Sequence, residues 1–282
     1  MKIDIADQSR ATFSQLSVVE SYRRDDLQPP EAAIFSWIGR EFAGKRILDL
    51  GVGAGRTTPY LLEISKNYTA IDFSPTMVEA CRSRYPSVEF AVGDARDLSR
   101  FSAGSFDVVL FSHNGIDCID HTGRLRVLAE VRRILAPDGV FVFSTLNRNA
   151  KRFRPWGLHR LRRQLSLSAN PLLLYTNLKL YAVGIYHYLK HRSEETHTEE
   201  YAIVTTDIFN YDLFLYSISI DAQLAQLRRA GFPEAAVVGY TDPRVLSSSE
   251  YASRVDGWLY YVCGSIGRLN LTASAPDLPN HR

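Results

Sequence analysis

The sequence predicts a doubly wound α/β sheet, and three observations carry the prediction. Ile47-Leu48-Asp49-Leu50 is a short apolar run that runs into glycines at alternate positions, Gly51, Gly53 and Gly55, before Thr57 to Lys66 takes up helical spacing. Two further apolar runs, Tyr68 to Phe73 and Val88 to Val92, meet an acidic residue at or just beyond their ends, Asp72 and Asp94. Segments of helical spacing separate the runs, and strands that alternate with helices build a parallel sheet. In such sheets the strand ends converge on one crevice.

At 282 residues the chain can bury a substantial core, and it suits one large α/β domain with an insertion. Aromatic residues at 11% and a hydrophobic fraction of 45% argue against a disordered chain. The net charge of +2 gives no general reason to expect nucleic acid. Cys81, Cys118 and Cys263 are far apart and lack Cys-x-x-Cys or Cys/His ligand spacing, so they read as reduced thiols without a structural metal. The first residues carry Asp4 and Asp7 without an apolar stretch, and no run reaches spanning length. A soluble, cytoplasmic protein is the expectation.

Taken in order, Ala11 to Arg40 reads as mostly helical, with Phe13, Leu16, Val19 and Tyr22 on one face and a break at Pro29-Pro30. The glycine turn follows the first strand. Glycine tolerates positive φ and lets a ligand lie against bare backbone, while the next helix offers unpaired N–H groups, a geometry that serves nucleotide-type ligands. After the second strand, Asp72 can accept two ribose hydroxyls or cap the next helix, although Ser74 stands closer to that helix start. Pro75 suits the first helical turn, and Met77 falls on its inner side as core or as an apolar wall of the site. The third strand runs into Gly93-Asp94-Ala95, and the fourth, Phe106 to Ser112, into His113-Asn114-Gly115. Asp120 is a plausible N-cap for a helix with Leu125, Leu128, Val131, Ile134 and Leu135 on one stripe. Pro137-Asp138-Gly139 turns into a fifth strand, Val140 to Thr145. A last helix, Asp221 to Ala230 capped by Gly231, precedes strands at Val237-Val238 and Trp258 to Val262.

The acid, x, G-x-G-x-G pattern of Asp49, Gly51, Gly53 and Gly55 resembles the first motif of class I S-adenosylmethionine-dependent methyltransferases. Glu130 to Gly139 is similar to the segment before the fifth strand in many small-molecule members, and the likeness spans Arg46 to Leu146, resuming loosely at Ser219 to Gly239. The resemblance implies a seven-stranded sheet whose last strand returns antiparallel. It also implies a helical cover over residues 1–45, a core over 46–147 and 219–266, an inserted lid over 148–218, and a tail over 267–282. S-adenosylmethionine would lie against Asp49, Gly51, Gly53, Gly55, Asp72, Phe73, Met77, Asp94, Ala95, Ser112, His113 and Asn114, with Asp94 and Ala95 reading adenine. Tyr22, Asn147, Tyr211 and Tyr216 are the candidates for the acceptor side, though aromatic residues at such spacings also simply pack. His113, beside the place of the reactive methyl, is the candidate general base, against a plain structural histidine or a cofactor contact. His121, at a helix start, is a weaker rival. No Asp-Pro-Pro-Tyr or Asn-Pro-Pro-Tyr follows the fourth strand, so a nucleic-acid substrate is not expected, and no spaced acidic set calls for magnesium.

The insertion opens with Arg148 to Arg163, which holds seven Lys or Arg and no acidic residue. A solvated lid face, an electropositive mouth for an anionic substrate, and a peripheral membrane contact all fit it. Pro171 to Leu189 reads as a lid helix, and Tyr201 to Thr206 with Tyr211 to Ile218 as a hairpin over the pocket. The expected function is methyl transfer to an oxygen or nitrogen of a small molecule, a sugar, glycan or natural-product precursor. The alternatives are a cofactor-binding partner that transfers nothing and a nicotinamide-dependent oxidoreductase, the latter disfavoured by the glycine spacing and Asp49.

Overall fold

A computed structural model of the chain describes residues 4–23, 26–150 and 171–272. Three helices come first: α1 (Ile5–Phe13), α2 (Leu16–Ser21) and α3 (Pro29–Glu41). Pro29-Pro30 opens α3 instead of interrupting a longer helix, because a proline in the first turn lacks only a donor that would have no partner there. Then β1 (Ile47–Leu50), α4 (Thr58–Ile64), β2 (Tyr68–Asp72), α5 (Pro75–Arg84), β3 (Glu89–Val92), β4 (Phe106–Phe111), α6 (His121–Ile134) and β5 (Leu135–Asn147) alternate as expected. Ser74 and Asp120 cap α5 and α6 with their side chains.

The sheet runs β3-β2-β1-β4-β5, all parallel. It continues antiparallel through β10 (Trp258–Gly264) to β9 (Ala235–Val238), with α8 (Ile220–Arg229) leading into β9. These are the seven expected strands. Side chains alternate between its two faces, as a strand period of two requires. Ile47, Val108, Val140, Val142 and Val262 pack with Ile34, Trp37 and Ile38 of α3 and Leu61 of α4. Leu48, Leu50, Val109, Phe141 and Phe143 pack on the other face with Val127, Leu128 and Val131 of α6 and Leu227 of α8.

Three strands go beyond the expected seven. Within the insertion, α7 (Pro171–His191) is followed by β6 (Thr196–His197), β7 (Tyr201–Thr205) and β8 (Phe214–Ile218). The hairpin of β7 and β8 forms within the two expected segments, but it extends the sheet, and neither strand lines the cavity described below. Its β8 joins the C-terminal end of β5 in parallel, Leu146 to Ser217 and Asn147 to Ile218. Residues 151–170, and with them most of the basic segment, lie outside the described residues. Among the described residues no helix is long and apolar enough to cross a membrane.

A buried ion pair joins insertion and core. Arg124 of α6 meets Asp117 at 2.8 Å, with both side chains fully inside. Asp117 also accepts from Thr145 Oγ1 at 2.6 Å and the Leu146 N–H at 2.7 Å, while Arg124 donates to Gln223 and Gln226 of α8 and lies 4.5 Å from the ring centroid of Tyr216 in β8. Buried charges without partners are costly, so the pair is held by what surrounds it. Arg124→Met should therefore strand Asp117 and lower the unfolding free energy in urea by about 3–5 kcal/mol. A loss near zero would show that the network is not a structural joint.

Candidate functional site

The glycine turn is bound to its neighbour strand. Gly51 and Val52 both donate to the Ile71 carbonyl, and Gly53 donates at 2.9 Å to Asp72 Oδ2. Gly51 has φ 63°, and a β-carbon there would stand 2.8 Å from the Phe111 ring; Gly53 has φ 58° and faces Tyr22. Any side chain at either position would distort the turn or enter the space before it. Gly55, also at positive φ, faces Tyr85 and Cys81 on the far side and does not line that space.

The strand-end acids divide the work. Asp49 is buried and accepts from Thr57 Oγ1 at 2.8 Å and Tyr68 OH at 3.0 Å, so it ties the turn to the start of α4 and to β2. Burial raises its pKa to about 7 in spite of those donors. Asp72 accepts from Gly53 N–H on one oxygen and from Ser74 N–H at 2.8 Å on the other, and burial lifts it to about 6. Each of its oxygens keeps a further lone pair. Asp94 is clasped by Arg96, with Nη2 at 2.6 Å from Oδ2, and Arg10 of α1 stands 3.8 Å away. Burial works against its charge, but the Arg96 hydrogen bonds prevail and hold it below the usual carboxylate range.

Beyond β4, His113 and Asn114 both adopt left-handed backbone, φ 52° and 62°. The Asn114 N–H donates to Ser144 Oγ at 2.7 Å, and its Oδ1 is buried with no hydrogen-bond partner among the described residues. The His113 ring meets Tyr22 and Trp258 edgewise at 5.6 and 6.0 Å between centroids. Burial first, then the Arg56 charge, depresses its pKa to about 4. The Ser112 hydroxyl donates to Glu31 in a very short hydrogen bond, so its proton is committed within the protein.

Glu31 and Arg56 were not legible as site residues. Glu31, wholly buried in α3, takes Arg56 Nη1 and Nη2 at 2.6 and 2.7 Å and Tyr260 OH at 2.9 Å. Arg56 lines the cavity and directly follows Gly55, so its place in the motif was the available signal; nothing local marks Glu31, whose partners lie on distant segments.

One cavity gathers these elements. Asp49, Gly51, Gly53, Asp72, Phe73, Met77, Asp94, Ala95, Ser112, His113 and Tyr22 line it, with Ala6 and Phe13 of α1, Cys118 and Ile119 as unanticipated neighbours. Phe13 and Tyr22 pack edge to face at 5.7 Å, closing the N-terminal cover over it, and Met77 also packs on Val19 and Ala54. Three predicted acceptor residues lie elsewhere. Asn147 donates to the Arg254 carbonyl at 3.0 Å and accepts from Asn149, which leaves it locked in a turn. Tyr211 is buried against Tyr188 of α7, and Tyr216 covers Arg124 with its hydroxyl 3.0 Å from His121.

Fold, turn and strand-end acids together define a class I methyltransferase type of domain. The family profile of a methyltransferase domain matches residues 47–139. A probable phthiotriol/phenolphthiotriol dimycocerosates methyltransferase 2 of Mycobacterium ulcerans is 35% identical over 111 residues, 38% of this chain and 41% of that protein. A ubiquinone biosynthesis O-methyltransferase of Xanthomonas oryzae pv. oryzae is 32% identical over 117 residues, 40% of this chain and 48% of the relative. The chain thus matches less than half the length of either. Among solved structures, a Burkholderia thailandensis 1,6-didemethyltoxoflavin-N1-methyltransferase aligns with a TM-score of 0.55 at 15% identity, over 93% of this chain and 90% of that one. An S-adenosylmethionine-dependent methyltransferase of Mesorhizobium loti aligns at 0.52 and 19% identity, over 79% and 92%. The chain has the fold of the class I S-adenosylmethionine-dependent methyltransferases, and its residues 47–139 match the model of a methyltransferase domain.

A histidine held near pKa 4, against an ordinary 6.5, binds its proton more readily in the unfolded chain. Its contribution is present above pH 6.5 and is lost as pH falls from 6.5 through 4, on the scale of about 3 kcal/mol. The unfolding free energy of wild type minus that of His113→Gln, measured in urea, should fall by about 3 kcal/mol as pH drops from 6.5 to 4. The opposing effects of Asp49 and Asp72 are common to both proteins and cancel. Identical profiles would mean that His113 is not desolvated as described.

Proposed function

We propose that this chain transfers the methyl group of S-adenosylmethionine to an oxygen or nitrogen of a small molecule. The observation that carries the reading is a bare glycine turn and strand-end carboxylates facing one cavity; Asn114, which does not line it but sits between the lining residues His113 and Gly115, has a buried Oδ1 that lacks a donor among the described residues. That donor set fits the group: a ribose diol suits Asp72, an exocyclic amine suits Asp94, and an ammonium suits an unsatisfied amide oxygen.

When bound, S-adenosylmethionine supplies a methyl on a sulfonium that carries its own leaving group. The chain's residues then hold, orient and exclude water. Gly51 and Gly53 keep the backbone bare, Phe73 and Met77 would flank the base, and Phe13 and Tyr22 would screen the reacting end from solvent. His113 is neutral at pH 7, and a depressed pKa makes it a weak base, so it orients an acceptor better than it strips one of a proton. Positioning supplies the rate in this reading. A natural-product precursor is the favoured acceptor class, because the relatives' names place phthiotriol lipids, ubiquinone biosynthesis and a toxoflavin precursor among their subjects. A sugar or glycan acceptor and an anionic one rested on the basic segment, which lies outside the described residues.

Calorimetric titration with S-adenosylmethionine, S-adenosylhomocysteine and NAD should give binding of the two sulfur ligands alone. Asp72→Ala should weaken that binding by about 1–3 kcal/mol, the scale of an unpaired polar group, measured below a melting temperature that also drops because the Gly53 and Ser74 N–H groups lose their acceptor. Binding of NAD only, or of none, would refute the reading. Binding without S-adenosylhomocysteine release across an acceptor screen would favour a partner protein that transfers nothing. Gly53→Val should remove cofactor affinity while circular dichroism stays native, because φ 58° and the Tyr22 ring leave no room for a branched side chain beside a ligand.

A further inference from the structure

We propose that the outer face of α7 docks on an anionic lipid surface. Tyr175, Leu178, Ala182, Tyr186 and Leu189 recur at i, i+3, i+7, i+11 and i+14, one stripe of the helix. The stripe is in solvent: Tyr175 is 66% exposed, Leu178 43%, Tyr186 62% and Leu189 52%. These are among the largest exposed apolar side chains of the described residues, and with Leu172, Leu173 and Leu180 this helix carries seven of the twelve. The opposite side holds the protein. Gly184 and His191 are buried, Asn210 Nδ2 donates to the Leu180 carbonyl at 3.0 Å, and Tyr188 packs on Tyr211. The helix is therefore seated by one face, and its apolar stripe is presented outward.

Charge decides the occupant. Lys179 and Lys190 flank the stripe, Arg192 follows it, and no Asp or Glu occurs anywhere from Arg148 to Arg192. A second copy seated on the same face would bring cations against cations with no acidic side chain in either helix to answer them. An anionic bilayer answers all of them. Leucines enter the acyl boundary, tyrosines sit at headgroup level, and lysines extend to lipid phosphates. The helix lies on such a surface and does not cross it.

The test is co-sedimentation of the full chain with vesicles of phosphatidylcholine containing an equal share of phosphatidylglycerol, beside vesicles of phosphatidylcholine alone. Partition into the anionic vesicles should fall about tenfold or more in the neutral ones and at high salt. Leu178→Ser/Leu189→Ser and, separately, Lys179→Gln/Lys190→Gln should each lower it about tenfold, with circular dichroism and melting unchanged. No binding to anionic vesicles overturns the proposal. So does binding that neither variant alters, and so does a dimer in sedimentation velocity that the leucine variant dissociates while vesicles capture nothing.

Discussion

Glu31 has no contact with solvent, yet it stays ionised because five donors converge on it: both ends of the Arg56 guanidinium, the Gln28 N–H and the hydroxyls of Ser112 and Tyr260. Burial alone would raise its pKa; the Arg56 charge and the hydrogen bonds overcome that and bring it to about 2. A carboxylate so placed cannot lose its partners cheaply, so each partner's position is constrained by the rest. Those partners come from α3, the glycine turn, the end of β4 and the middle of β10. The N-terminal cover, the turn and the sheet are thereby fixed relative to one another at the cavity wall, where Arg56 also shows a face.

Against that frame, three acids at three successive strand ends acquire three different characters. Asp49 is consumed by hydroxyl donors and builds the turn. Asp72 is held by backbone donors and keeps acceptor capacity toward the cavity. Asp94 is neutralised by Arg96 beside it and by Arg10 of the cover, which lies over the Phe73 ring as well as near Asp94. Position in the fold is the same for all three; surroundings separate them.

The doubly wound core was legible because its signals are local: Ile47 to Gly55 states strand and turn within ten residues, and Ser74 and Asp120 announce their helices by capping chemistry. The residues that those motifs offer for a cofactor are local in the same way, and most of them line the cavity. What could not be read depends on contacts between segments far apart in sequence. Glu31 gave no sign that it would meet Arg56 and Tyr260, and Tyr216 looked like a pocket aromatic because nothing nearby predicts that it covers Arg124. Asn147 was misplaced for the opposite reason: its neighbour Asn149 takes up its side chain locally, in a turn the sequence does not mark.

The pairing of β5 gives the insertion a character that its position in the chain conceals. Along 140–146 this strand is bound antiparallel to β10, and at Leu146 and Asn147 it is also bound to β8. The inserted hairpin is thus an extension of the hydrogen-bonded lattice, reinforced from below by Arg124. Such a piece cannot unfold or swing as a tethered lid without breaking backbone pairs of the core. Hairpin and core form one cooperative unit, and exchange of their amide hydrogens should follow one opening reaction.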